Sequence, residues 1–387
     1  MTTIGIICEY NPFHNGHAFQ IRKIREKYGA ESAVICLMSG NYVQRGEPAI
    51  FSKEVRAKAA LMNGADLVLE LPLTVSIRSA EGFAFGGVKI LNQLGCDVLC
   101  FGSESGKVEK LMEAAKIELE SISFHSRLIS HLSCGFSYPK ARDLALHDLG
   151  TDDCVKTPND ILGVEYCKAL IALKSNMIPM VLRREGDYHN QDLDPDYPSA
   201  SAVRQRMESG GAWKKAVPEN LNELYEHAQR YSTKAGERSV LARVRTQSEE
   251  AFQAMDSGKE GIWCSLMNAC RSETSIEEIY EKAKTRRYTR TRLQRMLMGV
   301  YLGVSQEQIK KPEPYVRILG FTDRGREVLR IWKNRCTLVN AGQTPPDPAY
   351  FEIENRAADL YQLFSEGTVK PCGEEKRLRV IYQKSSN

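Results

Sequence analysis

Ile4-Gly5-Ile6-Ile7-Cys8, running straight into Glu9-Tyr10-Asn11-Pro12-Phe13-His14-Asn15-Gly16-His17, decides how this chain is read. The first five residues are an unbroken apolar run of strand length, the pattern of a strand covered on both faces. A polar loop follows, then a helix from about Gly16. Amides at a helix start carry unsatisfied donors and partial positive charge, so an anion is favoured there. Gly16 removes a side chain that would block backbone approach to a phosphate. His14 and His17 lie three apart, so at a helix start both imidazoles can point the same way. As hydrogen-bond donors they suit charge building on an α-phosphate and a departing pyrophosphate. Such chemistry runs on positioning and electrostatics and needs no covalent nucleophile. An HxGH pattern arises by chance in roughly one chain of this size in a hundred. The plain alternative is a polar turn with two incidental histidines.

Outward from this stretch the chain alternates. Ala33 to Met38 reads as a second strand, Phe51 to Asn63 as a helix with Ser52 as N-cap, and Asp66 to Leu71 as a third strand stopped by Pro72. Ala80 to Leu94 is helical and Asp97 to Phe101 is a fourth strand. Apolar runs separated by helices imply an α/β fold with a parallel sheet covered on both faces. Helices are expected over 107–119, 124–132, 139–146 and 161–173, a last strand over Met177 to Leu182, and a closing helix over Ser199 to Glu208. After Gly210-Gly211 the pattern turns mostly helical, with short strands possible only at Val316 to Phe321 and Leu378 to Tyr382. The reading therefore divides the chain into 1–210 and 211–387.

Composition fits a soluble, cytoplasmic protein of 387 residues, 42% hydrophobic and 26% charged, with net charge +4. No apolar run approaches the roughly 20 residues that span a bilayer, and the N-terminus lacks a secretory pattern. The 11 cysteines include no CxxC pair, so no metal site is expected. His125, His131, His147, His189 and His227 likewise show no metal-ligand spacing, and nothing points to a protein partner.

Further stretches carry a resemblance. Met38-Ser39-Gly40-Asn41-Tyr42-Val43-Gln44-Arg45-Gly46-Glu47-Pro48-Ala49, Gly64-Ala65-Asp66-Leu67-Val68-Leu69-Glu70-Leu71-Pro72, Phe101-Gly102-Ser103-Glu104 and Pro158-Asn159-Asp160-Ile161-Leu162-Gly163 occur in that order. With the first stretch they resemble the bacterial tRNA(Met) cytidine acetate ligase family, in the nucleotidyltransferase superfamily with its HxGH signature. That superfamily more often has Phe-Asp-Pro where this chain has Tyr10-Asn11-Pro12, which points away from the small cofactor-making adenylyltransferases. The resemblance implies a Rossmann-like ATP-binding catalytic domain at 1–210 and a mostly helical, basic tRNA-binding domain at 211–387. It implies activation of acetate by ATP to acetyl-adenylate, with release of pyrophosphate, and transfer of the acetyl group to N4 of the wobble cytidine of elongator tRNA(Met). Mg2+ is expected with the ATP.

On that resemblance the ATP-binding stretch is Ile7, Cys8, Glu9, Tyr10, Asn11, Pro12, Phe13, His14, Asn15, Gly16, His17, Ala18, Phe19 and Gln20, with His14 and His17 catalytic. Gly102 ends a strand, where open α/β sheets bind ligands. Asn159 reads adenosine or ribose, its alternative being a simple N-cap. Arg183 and Arg184 follow the last strand and suit phosphate. Ser199, Ser201 and Arg204 resemble the second superfamily signature and would meet the β- and γ-phosphates. Arg45 has two open readings, acetate or tRNA. Ser39-Gly40 is a candidate acyl pocket, and Asp66 and Glu70 are either functional or structural.

The basic density peaks over Lys284 to Arg295. Leu293, Met296, Leu297 and Val300 fall at helical spacing and face inward. Arg286, Arg287, Arg290, Arg292 and Arg295 are then candidates for RNA phosphates, with Tyr288 interleaved for stacking. Two other functions stay open: a small-molecule adenylyltransferase, which leaves the basic half without a task, and a non-catalytic RNA-binding protein with a relic nucleotide domain.

Overall fold

A computed structural model describes residues 1–150, 157–183, 198–256, 261–311 and 313–384. Ten strands are present among them: β1 (Thr3–Cys8), β2 (Ala33–Ser39), β3 (Tyr42–Val43), β4 (Glu47–Pro48), β5 (Leu67–Leu71), β6 (Val98–Ser103), β7 (Ile178–Arg183), β8 (Val316–Phe321), β9 (Leu338–Asn340) and β10 (Ile381–Tyr382). Eight of them form one sheet in the order β10-β8-β5-β2-β1-β6-β7, with β9 also on β8, while β3 and β4 make a separate hairpin. Every residue of β1, β2 and β5 is buried, which is why their sequences are apolar without alternation. One apolar cluster on each face covers them. Ile7, Ile35, Leu37 and Leu69 point to one side, and Ile4, Ile6, Val34 and Val68 to the other.

The sheet departs from the sequence reading in one respect. It is parallel throughout 1–210, but β8 lies antiparallel to β5, with Glu70 opposite Arg317. β9 and β10 then pair with β8 in parallel. The second half of the chain thus completes the sheet of the first. Its helices do gather an apolar cluster of their own on Leu293, Met296, Leu297 and Val300, yet Tyr42, Leu73 and Ile77 belong to that cluster too. The boundary at 210/211 is crossed by both the sheet and the core.

The opposition of Glu70 and Arg317 is part of a buried charge cluster. Lys53 Nζ lies 2.7 Å from Glu70 and 2.7 Å from Glu375. Arg317 reaches Glu375 at 3.0 Å, Glu354 at 3.0 Å and Glu70 at 3.5 Å. Three carboxyls face two cations, so the cluster favours keeping a proton. Burial pushes the Glu70 carboxyl up from 4.5 to about 7, against the pull of Lys53 and helped by Glu375 and Glu354. A carboxyl whose folded-state value is raised stabilises the fold at low pH and loses that contribution as pH rises through the folded value. The free energy of unfolding is therefore expected to fall by roughly 3 kcal/mol between about pH 4.5 and pH 7 through this group. Urea unfolding at both ends of that window, compared with Glu70→Gln, checks it: the variant should lack this part of the slope. Glu70 is thereby structural. So is Asp66, whose carboxylate accepts from Val34 N–H at 2.8 Å and pairs with Arg25.

Candidate active site

The chain passes from β1 outward to β2 and β5, then returns to the other side of β1 for β6 and β7. That reversal opens a crevice between the carboxyl ends of β1 and β6, the place where open α/β sheets take ligands. A cavity of about 390 Å³ lies there. It is lined by the end of β1, the loop after it, the start of the helix Asn15–Tyr28, the β3–β4 hairpin, Phe101-Gly102, Asn159 and the start of the helix Ala200–Glu208.

Local chemistry fixes the histidine pair. His14 is the N-cap of the Asn15–Tyr28 helix: its Nδ1 accepts from Gly16 N–H at 3.1 Å. His17 answers as the third helical residue, its Nδ1 accepting from His14 N–H at 3.2 Å. This is the reciprocal capping pattern usually built from Ser and Glu. An Nδ1 that accepts must carry a lone pair, so the neutral ring bears its proton on Nε2. The rings stack with centroids 3.7 Å apart, and both residues line the cavity. Gly16 also has a local fit that the sequence alone does not show: a Cβ there would stand 3.0 Å from His14 Cε1, so the capping ring would have to give by a few tenths of an ångström.

Most of the other expected residues converge. Ile7, Cys8, Glu9, Tyr10, Asn11, Phe19, Gln20, Gly102, Arg183, Ser199, Ser201 and Arg204 all line the cavity. Ser199 Oγ caps its helix by accepting from Ala202 N–H at 3.1 Å, and lies 3.2 Å from Ser201 Oγ. Arg204 donates to the Asn11 carbonyl at 2.7 Å, tying the second signature to the first loop. Asn159 also lines the cavity and is not a cap. Thr157 is the N-cap residue of the helix Pro158–Ala172, and the Asn159 amide donates to Glu104.

Four expected residues do not line the cavity. Phe13 is buried against Tyr10, with its carbonyl accepting from Tyr225. Asn15 donates to the Lys215 carbonyl at 2.8 Å, and Ala18 packs on the core. Pro12 forms the cis peptide after Asn11. Arg184 lies outside the described residues. Ser39-Gly40 does not line this cavity either: its carbonyls accept from the buried Arg56, and Gly40 borders a separate, much smaller pocket beside Lys53 and Glu70.

The hairpin is what the sequence left unplaced. Val43, Gln44, Arg45 and Glu47 all line the cavity. Gln44 N–H donates to Glu9 Oε1 at 2.8 Å. Burial raises the Glu9 carboxyl above its usual value, opposed by that hydrogen bond and by Arg204, Arg45 and Arg56. Phe83 and Tyr166 add apolar wall. Both sit on helix faces that read as ordinary core, so nothing in the sequence marks them. Arg45, by contrast, lies just past the carboxyl end of β2, where the switch-point rule points.

Comparison with known proteins agrees with this geometry. The model of the HIGH nucleotidyl transferase family matches residues 1–376. The tRNA(Met) cytidine acetate ligase of Clostridium novyi (strain NT) is 34% identical, over 95% of this chain and 94% of that one. The enzyme of the same name from Acetivibrio thermocellus is 35% identical, over 98% and 100%. This chain belongs to the tRNA(Met) cytidine acetate ligase family. The solved structure of Thermotoga maritima TmcAL, apo form I, superposes with a TM-score of 0.90 at 29% identity, covering 100% of both chains. That protein bound with alpha-thio ATP gives a TM-score of 0.88.

In this family member the basic stretch is less uniform than its sequence. Arg290, at the start of the helix Arg290–Leu302, is paired with Glu277 and Glu281 from a neighbouring helix. Arg292 sits over the Tyr288 ring, 3.7 Å from Asp256. Arg286 lies over Phe136 at 4.7 Å. Arg295 is half-buried where the helical spacing had it facing outward. None of the five candidate arginines lines the cavity. No described helix is long and apolar enough to cross a membrane.

Proposed function

We propose that this chain activates acetate with ATP and acetylates N4 of the wobble cytidine of elongator tRNA(Met). The observation that carries the reading is the capped, stacked pair His14 and His17 lining the cavity of about 390 Å³ at the switch point. The names of the relatives and the alpha-thio ATP bound by the Thermotoga maritima protein support it. A carboxylate oxygen of acetate attacks the α-phosphorus, and pyrophosphate leaves with the electron pair of the broken P–O bond. The cytidine N4 then attacks the acyl carbon, AMP leaves with the electrons of the C–O bond, and a proton from N4 passes to water. His14 and His17 stabilise the charge on the α-phosphate and pyrophosphate. Ser199, Ser201 and Arg204 face the outer phosphates, Gly102 and Asn159 the adenosine, and Arg183 the phosphates from the far wall; Arg184, outside the described residues, keeps only its sequence-based assignment to phosphate. Magnesium, when bound with the triphosphate, would supply further neutralisation of the phosphate charge.

Mass spectrometry of tRNA incubated with the chain, ATP and labelled acetate tests the activity. Label on the wobble cytidine supports it, and a chain that exchanges pyrophosphate only with a nucleotide-like substrate overturns it. RNA binding through Arg286, Arg287, Arg290, Arg292 and Arg295 should be salt-sensitive. About three phosphate contacts predict a slope of roughly −2 to −3 in log affinity against log salt, a loss of roughly 20- to 40-fold between about 50 and 200 mM. Replacing Arg286, Arg287 and Arg290 together should flatten that slope in a filter-binding titration; an unaltered slope places the RNA elsewhere.

A further inference from the structure

The turn of the β3–β4 hairpin faces two ways. On one side Arg45 and Glu47 line the cavity, Gln44 N–H holds Glu9, and the Gln44 amide donates to the Arg78 carbonyl at 3.0 Å. On the other side the turn lies directly on the backbone of the basic Arg290–Leu302 helix. Gly46 has φ 78, and a Cβ there would stand 2.8 Å from Arg295 Cα and 2.9 Å from Arg295 N. Only glycine permits both that dihedral and that approach. Buried Gln294 reaches across and donates from Nε2 to Glu47 Oε1 at 2.9 Å. One short turn therefore touches both the nucleotide cavity and the helix proposed to meet RNA.

Beside this contact the Arg295 side chain makes no hydrogen bond or ion pair among the described residues. Burial, with the neighbouring Arg292, pulls its guanidinium down to about 10. A desolvated cation beside a second cation, with no carboxylate opposite, is costly for the fold alone. A backbone phosphate seated there would remove that cost. The Arg295 backbone lies against the turn whose flanking residues Arg45 and Glu47 line the cavity, so RNA held by this residue would run close to the cavity.

Building on the RNA-acetylating reading above, we propose that Gln294 and Gly46 are positioning residues for acetyl transfer: they hold the hairpin in register with the helix, so that an RNA phosphate on Arg295 aligns the target cytidine with the activated acetyl group. Neither touches the nucleotide. Their effect falls on transfer and spares activation, which needs no RNA.

The test uses the full chain with Gln294→Met, which keeps the volume and removes the donor. Three quantities are measured: acetate-dependent pyrophosphate exchange without RNA, tRNA affinity, and single-turnover transfer to tRNA. Exchange and affinity are expected within about twofold of the parent, with transfer at least tenfold slower. Gly46→Ala, which forces the turn off the helix and with it shifts the Arg45 and Glu47 wall of the cavity, should lose transfer more heavily and part of the exchange as well, the loss in transfer remaining the larger. The inference is overturned if transfer is unchanged in both variants, if exchange falls by the same factor as transfer, or if weaker tRNA binding accounts for the whole loss. A parent chain that exchanges pyrophosphate with acetate yet never labels tRNA would sink the RNA-acetylating reading itself, a different failure.

Discussion

His17→Ala is expected to lower acetate-dependent exchange of pyrophosphate into ATP by about 100- to 1,000-fold, the loss seen when one preorganised donor to a developing oxyanion is removed. His14→Ala should do at least as much. It also removes the helix cap received by Gly16 N–H, worth roughly 1 kcal/mol of stability. The two contributions separate in His14→Asn, whose side-chain carbonyl caps a helix well but offers no Nε2–H. That variant should melt like the parent and still fail to exchange. Isothermal binding of tRNA should be unaffected in all three, because none of the basic residues touches this loop. Near-parental exchange by His14→Asn would mean that the ring serves the helix and not the phosphate.

Lys53→Met carries the largest expected effect on stability. The wild-type cluster sets three carboxylates against two cations, a net charge of −1 when all are ionised. Without Lys53 it becomes −2 in a site closed to water, and stability should fall by about 3–5 kcal/mol, the cost of breaking a buried ion pair from one side. Adding Glu375→Gln returns the cluster to −1 and should recover part of the loss. Urea unfolding of the single and double variants decides the matter. If the double variant is no more stable than the single one, Lys53 acts through its packing and not its charge.

What the sequence revealed, and what it hid, follows the range of the interactions. The strand, loop and helix over Ile4 to His17 were legible because caps, apolar runs and the spacing of the two histidines are local. So was the helix that starts at Ser199, read from its own neighbours. The partner of β5 was not legible: Val316 to Phe321 reads as a strand, but nothing in it names the edge it joins. Glu70 was ambiguous for the same reason, since Arg317, Glu354 and Glu375 come from hundreds of residues away. The basic stretch misled in the opposite direction. It contains no acid of its own, yet Glu277, Glu281 and Asp256 reach it through folding. The hairpin at Gln44 to Glu47 was visible as a motif, but its place between cavity and helix exists only in three dimensions.

The late strand beside β5 also has a bearing on biosynthesis. A ribosome delivers β1, β2, β5, β6 and β7 long before Val316 emerges, so the nascent sheet spends most of translation with the backbone donors and acceptors of β5 open along one flank. Exposed edges of apolar strands recruit other chains, and slow, long-range pairing prolongs the hazard. Only when the last seventy residues arrive does that border close and Glu375 reach Lys53. The β5 edge is thus the part of the sheet whose pairing waits longest for its partner in the chain.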